Sequence, residues 1–529
     1  MRGAVAAGHP VTAEVGASVL ASGGNAVDAC IAAAAASWVV ESTLTGPGGG
    51  GFMLVHRARD RSEVLLDFSV AIPGLGLDPA EGSEMEIVHV PFGAGETTQA
   101  FHVGAASCAV PGTVAGLAAA HELLGTVPWP ELLAPAITLA GDGFELVPMQ
   151  AVVHRLLERV LHRDEAGHRV YGPPDTLQAG ERIALPELAD ALELLAHRGA
   201  DDFYRGELAR TIAAASAERG GRITRADLAS FRVIRRRPVR VPYRNMELVS
   251  NPPPSSGGIL IAYALRLIDR LGVGGPPGSA GAIAILAEVA RETAKTRTPS
   301  FAAALHRGGL PGVLLTDERV DLAATAIERS QTRTGVLEPS GLPSTTHVSV
   351  LDADGNAASL SSSLGCGSGM FVPGTGIHLN NMLGEVDLNP QGGRARPIGR
   401  RLTSMMSPSL LLLEGRPRLV VGSAGSERLR GAIIQTVVNV ADHDLGVHDA
   451  IESPRSHLAG ELLHVEGGHD EQELSRLETM GYELARWPGP ERNLFFGGVA
   501  AVGRRPDGTL EAAGDIRRGG AGVVVASAS

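Results

Sequence analysis

Pro343-Ser344-Thr345-Thr346-His347-Val348-Ser349-Val350 runs straight into Leu351-Asp352-Ala353-Asp354-Gly355-Asn356-Ala357, about two thirds of the way along a chain of 529 residues. The threonine pair sits between turn-prone residues and an alternating, β-like run. Such a triplet, Thr-Thr-His, is common, and most examples open an ordinary strand. A threonine that becomes an N-terminus is a different object, because it carries a nucleophilic hydroxyl and a free α-amino group that can act as its base. A cut before Thr345 would place half of a catalytic apparatus on one residue.

The size of the chain allows roughly two to four domains or one large layered one. Apolar residues make up 44% and charged residues 20%, with 68 glycines and 33 prolines, the composition of a globular protein with many tight turns. The formal net charge is −12, which argues against a nucleic-acid partner, since neutralising phosphates requires a basic face. Arginine carries nearly all the positive charge, Lys295 being the only lysine. Cys30, Cys108 and Cys366 are far apart and form no CxxC pair, so neither a disulfide framework nor a structural zinc site is expected. The chain opens without a basic segment followed by a long apolar one, and the apolar run Ala29 to Val40 is too short to span a bilayer. That run reads as a buried helix, and the expected location is cytoplasmic, with no membrane partner.

Val11 to Leu20 has helical spacing, Gly23-Gly24-Asn25 breaks it, and Ala26 to Val40 resumes as a second helix. Gly46-Pro47-Gly48-Gly49-Gly50-Gly51 leads into a strand at Phe52 to His56, which can pair with Val64 to Phe68 across a polar turn. Residues 110–235 read as mostly helical. Pro252-Pro253-Pro254-Ser255-Ser256-Gly257-Gly258 precedes an apolar helix, Ile259 to Leu271, and the polar run from Ser330 to Ser344 is where a proteolytic junction is expected. Beyond it short strands dominate: His347 to Leu351, Ala357 to Ser361, Ser409 to Leu413, Arg418 to Val421, Leu462 to Val465 and Gly498 to Val502. Helices early and strands late imply a layered α/β arrangement in which helices cover sheets.

Four clusters have both a plain and a functional reading. Gly48 to Gly51 lacks the context of a nucleotide-binding loop and reads as a tight turn near a site. His347 reads as a satisfied strand residue, and with no HExxH or paired His/Cys spacing no metal is expected. Ser361-Ser362-Ser363 is either a loop or a hydroxyl-lined cavity wall. Gly422-Ser423-Ala424-Gly425-Ser426, after an apolar strand, is either a turn or a set of backbone donors for an oxyanion.

The order and spacing of these clusters resemble the γ-glutamyltransferases, which are N-terminal-nucleophile hydrolases. The resemblance rests on Gly23 to Ala29, Gly48 to Leu54, Val110 to Gly116, Phe203-Tyr204 with Gly206, Pro252 to Gly258, and Thr345-Thr346-His347. Pro373 to Ile377 with Asn380-Asn381, and Ser453-Pro454-Arg455, complete it. It covers nearly the whole chain. It implies a four-layer αββα fold and a precursor that cuts its own Ser344–Thr345 bond, leaving a large fragment (1–344) paired with a small one (345–529). Thr345 then attacks a small-molecule amide or peptide substrate, and water or an acceptor amine resolves the acyl-enzyme, with no cofactor. The family's second hydroxyl, 18 residues on, falls on Ser363, and its oxyanion pair of glycines falls on Gly425 and Ser426.

The departures concern the substrate. The arginine with which the family clamps an α-carboxylate is replaced by Ser69, and serine cannot imitate a bidentate guanidinium. The family's Ser-Ser pair appears as Ser404-Met405. The acidic residue that receives the α-amino group matches Glu385, its neighbouring Gln or Glu is Met382, and the family's asparagine aligns with Gly365 or a gap. Three readings follow: a γ-glutamyl enzyme using another contact, such as an arginine from Arg394 to Arg401; an amidohydrolase for a different acyl group; or an unprocessed, non-catalytic binding protein.

Overall fold

A computed structural model describes residues 2–78, 82–92, 97–329, 345–385, 397–426, 428–489 and 492–526. Ser344, the polar junction 330–344 and residues 394–396 of the arginine-bearing run lie outside the described residues. In chain order the strands of the two main sheets are β1 (Gly3–Ala7), β2 (Gly50–Arg57), β3 (Ser62–Phe68), β4 (Ile234–Arg236), β5 (Val239–Tyr243), β6 (Met246–Ser250) and β7 (Thr346–Asp352). They continue with β8 (Ala357–Ser363), β9 (Ser409–Leu413), β10 (Arg416–Ala424), β11 (Gly498–Arg504), β12 (Leu510–Gly514) and β13 (Ala521–Val525). One sheet has the order β13-β1-β7-β8-β2-β3-β4 and the other β12-β11-β10-β9-β6-β5. Every neighbouring pair in both is antiparallel.

Side-chain alternation fixes which way each strand faces. In β7, Val348 and Val350 point into a core shared with helices α1 (Pro10–Ala21) and α2 (Ala26–Val40). Leu351 points the other way, into an apolar layer between the sheets with Ala4, Phe52, Leu54, Val249, Leu410, Val420 and Val502. The far face of the second sheet, with Leu248, Leu411, Leu419 and Val499, packs on α3 (Gly257–Leu271) and α4 (Arg428–Ala441). The four-layer αββα sandwich implied by the resemblance is the fold. Both sheets mix strands from before residue 344 with strands from after it. Among the described residues no helix is long and apolar enough to cross a membrane.

The expected helix Ala26 to Val40 is present with those bounds, and all its residues are buried. Its start is fixed by a reciprocal cap: the Asn25 side chain accepts from the N–H groups of Val27 and Asp28, and Asp28 accepts from the Asn25 N–H. Asp28 also accepts from the Thr126 N–H and hydroxyl and the Val127 N–H, so one buried carboxylate ties α2 to the loop after residue 125. The strands β1, β5, β6, β12 and β13 were not expected from the sequence. Each is five residues long, the same length as the expected β9, but β9 alone of these carries a run of four leucines to mark it. Asp28→Ala would take the shared charged acceptor from the Asn25, Thr126 and Val127 N–H groups and the Thr126 hydroxyl. It is expected to lower unfolding stability by about 3 kcal/mol, read from urea or thermal unfolding.

Candidate active site

The hairpin β7–β8 builds one wall of the site. Its register pairs Thr346 with Ser362 and His347 with Ser361, and one further step sets Thr345 opposite Ser363. The 18-residue spacing is therefore a consequence of hairpin geometry. Thr345 is buried just ahead of β7, and the Ser363 hydroxyl accepts from the Gly365 N–H at 2.9 Å. The glycine run turns at Gly46 to Gly49, where the Gly49 N–H donates to the Gly46 carbonyl, and leads into β2 as expected, with its backbone pressed against β8. A Cβ on Gly49 would lie 2.5 Å from the Ser363 carbonyl oxygen, and one on Gly51 2.2 Å from that of Ser361. Ser361 to Ser363 is thus a buried strand end, not a loop. His347 is the satisfied strand residue it was expected to be. Its ring bonds the hydroxyls of Ser361 (2.8 Å) and Ser349 (3.0 Å), and burial pushes it down to about 3.

The facing wall comes from the second sheet. Strand β10 ends at Ala424, and Gly425 (φ 140°) and Ser426 (φ 51°) turn the chain toward α4. Ser426 holds a left-handed backbone that serine adopts at some cost. Among the described residues neither of their N–H groups donates to another backbone group, and α4 begins close by, with its positive dipole end toward this turn. The Pro252 to Gly258 motif supports a third side. The Ser404 carbonyl accepts from the Ser256 N–H (2.8 Å) and the Ser255 hydroxyl (2.9 Å), and a Cβ on Gly257 would lie 2.0 Å from the Met405 carbonyl oxygen.

These walls enclose a cleft of about 50 Å³ that brings together Thr345, Ser363 and Ser426 with Met382, Glu385, Ser404 and Met405. Gly365, Met406 and Leu429 complete its lining. A Cβ on Gly365 would fall 2.0 Å from Asn381 Oδ1 and 2.9 Å from Glu385 Oε1, so glycine lets both side chains pack close to the backbone here. Asn381 Oδ1 is buried with no hydrogen-bond partner among the described residues. Two predicted residues do not line the cleft. Gly425 sits behind Ser426, and Ser69 is buried with its N–H on the Asp67 carboxylate. Arg401, a candidate carboxylate clamp, is committed elsewhere. It pairs with buried Asp67, donates to the Arg232 carbonyl and lies 4.2 Å over the Phe231 ring.

A smaller cavity of about 10 Å³ lies on the other side of Thr345, lined among others by Glu41, Gln150, Thr346, Asp515 and Arg518. Glu41 was missed in the sequence, where a lone acid after the apolar run Trp38-Val39-Val40 gives no signal beyond its being a charge at a buried helix end. Its carboxylate accepts from the hydroxyls of Thr346 (2.7 Å) and Thr12 (3.1 Å). Burial pushes it up to about 7, against those two hydrogen bonds and the nearby Arg518. Among the described residues no group of His, Cys, Asp and Glu is arranged to hold a metal.

An αββα sandwich with a threonine at the head of a central strand, sharing a cleft with a turn from the facing sheet, is the architecture of the N-terminal-nucleophile hydrolases. Residues 12–525 match the gamma-glutamyltranspeptidase family. The chain is 33% identical to an acylase ACY 1 proenzyme of Pseudomonas sp. (strain SE83), over 99% of this chain and 94% of that one. It is 32% identical to a glutathione hydrolase proenzyme of Escherichia coli (strain K12), over 98% and 90%. The crystal structure of a cephalosporin acylase from Bacillus halodurans superposes with a TM-score of 0.83 at 26% identity, covering 100% of this chain and 96% of that one. The chain belongs to the gamma-glutamyltranspeptidase family, and it is an enzyme of the autoprocessing amidohydrolase and acyltransferase class. Gly49→Ala would push the Ser363 backbone off its position. It is expected to lower kcat for amide hydrolysis by about tenfold to a hundredfold while leaving a folded protein, as checked by circular dichroism beside steady-state kinetics.

Proposed function

We propose that the protein is a self-processing acylase whose nucleophile is Thr345 and whose acyl pocket favours a chain without a free carboxylate. The observation that carries this reading is the lining of the Thr345 cleft, which among the described residues holds one carboxylate, Glu385, and no arginine or lysine. Processing starts when Thr345 Oγ attacks the Ser344 carbonyl carbon. The peptide nitrogen leaves as the new α-amino group, and water hydrolyses the resulting ester. The two fragments then stay together, because β1 lies between β7 and β13, β2 beside β8, and β6 beside β9. In turnover the α-amino nitrogen takes the Thr345 Oγ proton as Oγ bonds to the substrate carbonyl carbon. The same proton passes to the leaving amine when the amide C–N bond breaks. Water or an acceptor amine, deprotonated by the α-amino group, resolves the ester and returns the proton to Oγ. The N–H groups of Gly425 and Ser426, at the head of α4, are suited to hold the oxyanion, and Ser363 to orient the Thr345 hydroxyl.

The acyl preference follows from charge. Among the described lining residues a carboxylate brought beside Glu385 would meet no cationic side chain and would suffer like-charge repulsion, whereas an ammonium group would be drawn to Glu385. Met382, Met405, Met406 and Leu429 supply an apolar body for the chain. The names of the relatives, acylases as well as glutathione hydrolases, are compatible with either acyl type.

Two measurements test this. Intact masses under denaturing conditions should show fragments 1–344 and 345–529 for the wild type and one uncut chain for Thr345→Ala; an uncut wild type would remove Thr345 as nucleophile. Four p-nitroanilides then separate the charges: 4-aminobutyryl, butyryl, γ-glutamyl and glutaryl. The 4-aminobutyryl compound is expected to exceed the γ-glutamyl one in kcat/KM by about tenfold, with glutaryl slowest. Glu385→Gln should erase the advantage of 4-aminobutyryl over butyryl. A faster γ-glutamyl or glutaryl substrate would overturn the charge argument.

A further inference from the structure

The cavity behind Thr345 shares only Thr345 with the lining of the acyl cleft, and its polar residues include Glu41, Gln150, Thr346, Asp515 and Arg518, beside apolar Leu44, Ala424, Val499 and Ala500. Its volume of about 10 Å³ is that of a single water. Glu41 closes α2, fully buried, and its two oxygens are held by Thr346 and Thr12. The close fit is paid for in sequence by Gly8, where a Cβ would lie 2.7 Å from Glu41 Oε1 and 3.0 Å from Thr346 Oγ1. Gln150 also lines the cavity, and its Oε1 is buried with no hydrogen-bond partner among the described residues. The Glu41 carboxylate and Gln150 Oε1 thus line, with the Arg518 guanidinium, a space that Thr345 borders, and of the two acceptors Gln150 Oε1 is the one that calls for a donor among the described residues.

We propose that Glu41 is a positioning residue for the α-amino group that cleavage frees on Thr345, acting across this cavity through Thr346 and one internal water shared with Gln150. The inference rests on the reading of Thr345 as the nucleophile. The amine's N–H groups supply the missing donor, leaving its lone pair directed at Oγ. The carboxylate also sets the proton affinity of the amine, because a nearby negative charge favours the ammonium form. The proton from Thr345 Oγ still goes to the amine nitrogen and from there to the leaving group, and Glu41 takes no part in bond making.

The other charged or titratable groups around the cavity hold one state through the neutral range. Arg518, lowered by burial to about 10, is cationic. Asp515, which burial alone would raise, is held below its ordinary range by Arg455 and Arg517. His347 is pushed by burial to about 3 and His9, at the head of α1, to about 4, so both are neutral. Glu41 and the amine are left to titrate together.

The test is the pH dependence of kcat/KM for processed enzyme, using an uncharged butyryl anilide so that the acyl pocket contributes no titration. Activity rises as the amine loses its proton, and neutralising Glu41 makes that loss easier. In Glu41→Gln the acid limb is expected to move to lower pH by about one unit with KM little changed. Thr346→Val, which removes a donor that stabilises the Glu41 carboxylate, should move it the same way by less. A limb that stays in place in both variants, or moves upward in either, overturns the proposal. Should Glu41→Gln not process, Thr346→Val alone decides it. Masses of the wild type, read in parallel, separate this outcome from failure of the nucleophile reading, in which no fragment begins at Thr345.

Discussion

The register of the β7–β8 hairpin is the constraint on which the site depends. Side chains alternate along a strand, so a slip of one residue would turn Val348 and Val350 from the helix-covered core and separate Thr345 from Ser363. The turn that sets the register is fastened at its base. Asp352 accepts from the N–H and the side-chain amide of Asn356, both at 2.9 Å, and from the Ala26 N–H at 3.0 Å, the first residue of α2. The helix that carries Glu41 at its far end is therefore tied to the same turn that places Thr345. On the other edge of the hairpin the glycine run lets β2 approach β8 where any side chain would collide with backbone.

That arrangement explains why nearly the whole chain must fold before any chemistry can begin. The cleft draws on residues 345, 363, 385, 404 and 426, and the cavity behind it on residues 41, 150 and 518. Those of the cleft all fall between 345 and 426, but the cavity needs residues from both ends of the chain. Cutting one peptide bond in such a structure removes a chain connection but no sheet neighbour.

The sequence made the layered fold legible because its longest elements carry strong patterns. Ala26 to Val40 is apolar on every face, and the strands on either side of Gly355 alternate cleanly. Thr345, Ser363 and Glu385 were legible through motif order, and the structure gathers them in one cleft. Short strands such as Val239–Tyr243 were not, since five residues with Arg240 on the open face resemble a loop. Glu41 and Gln150 were illegible for another reason. The hydroxyls that hold Glu41 lie 29 and 305 residues away, Gln150 meets the same cavity only through the fold, and nothing local distinguishes a buried acid from a solvated one.

Ser69 shows how a single replacement can be embedded in its surroundings. Two residues before it, Asp67 is fully buried and paired with Arg236 at 2.7 Å and with Arg401 at 3.4 Å. Arg401 is itself held by the Arg232 carbonyl and the Phe231 ring. Positive charge is thus present near Ser69 but is consumed inside the wall by Asp67, and freeing it would leave a buried carboxylate without its partners. Ser69 therefore brings no charge to the cleft, and neither do Met405 and Gly365, which line it. Of the described lining Glu385 alone carries an ionisable side chain, so the electrostatics that an acyl chain would meet there are set by one acid, with the nearby positive charge of Arg236 and Arg401 already paired with Asp67.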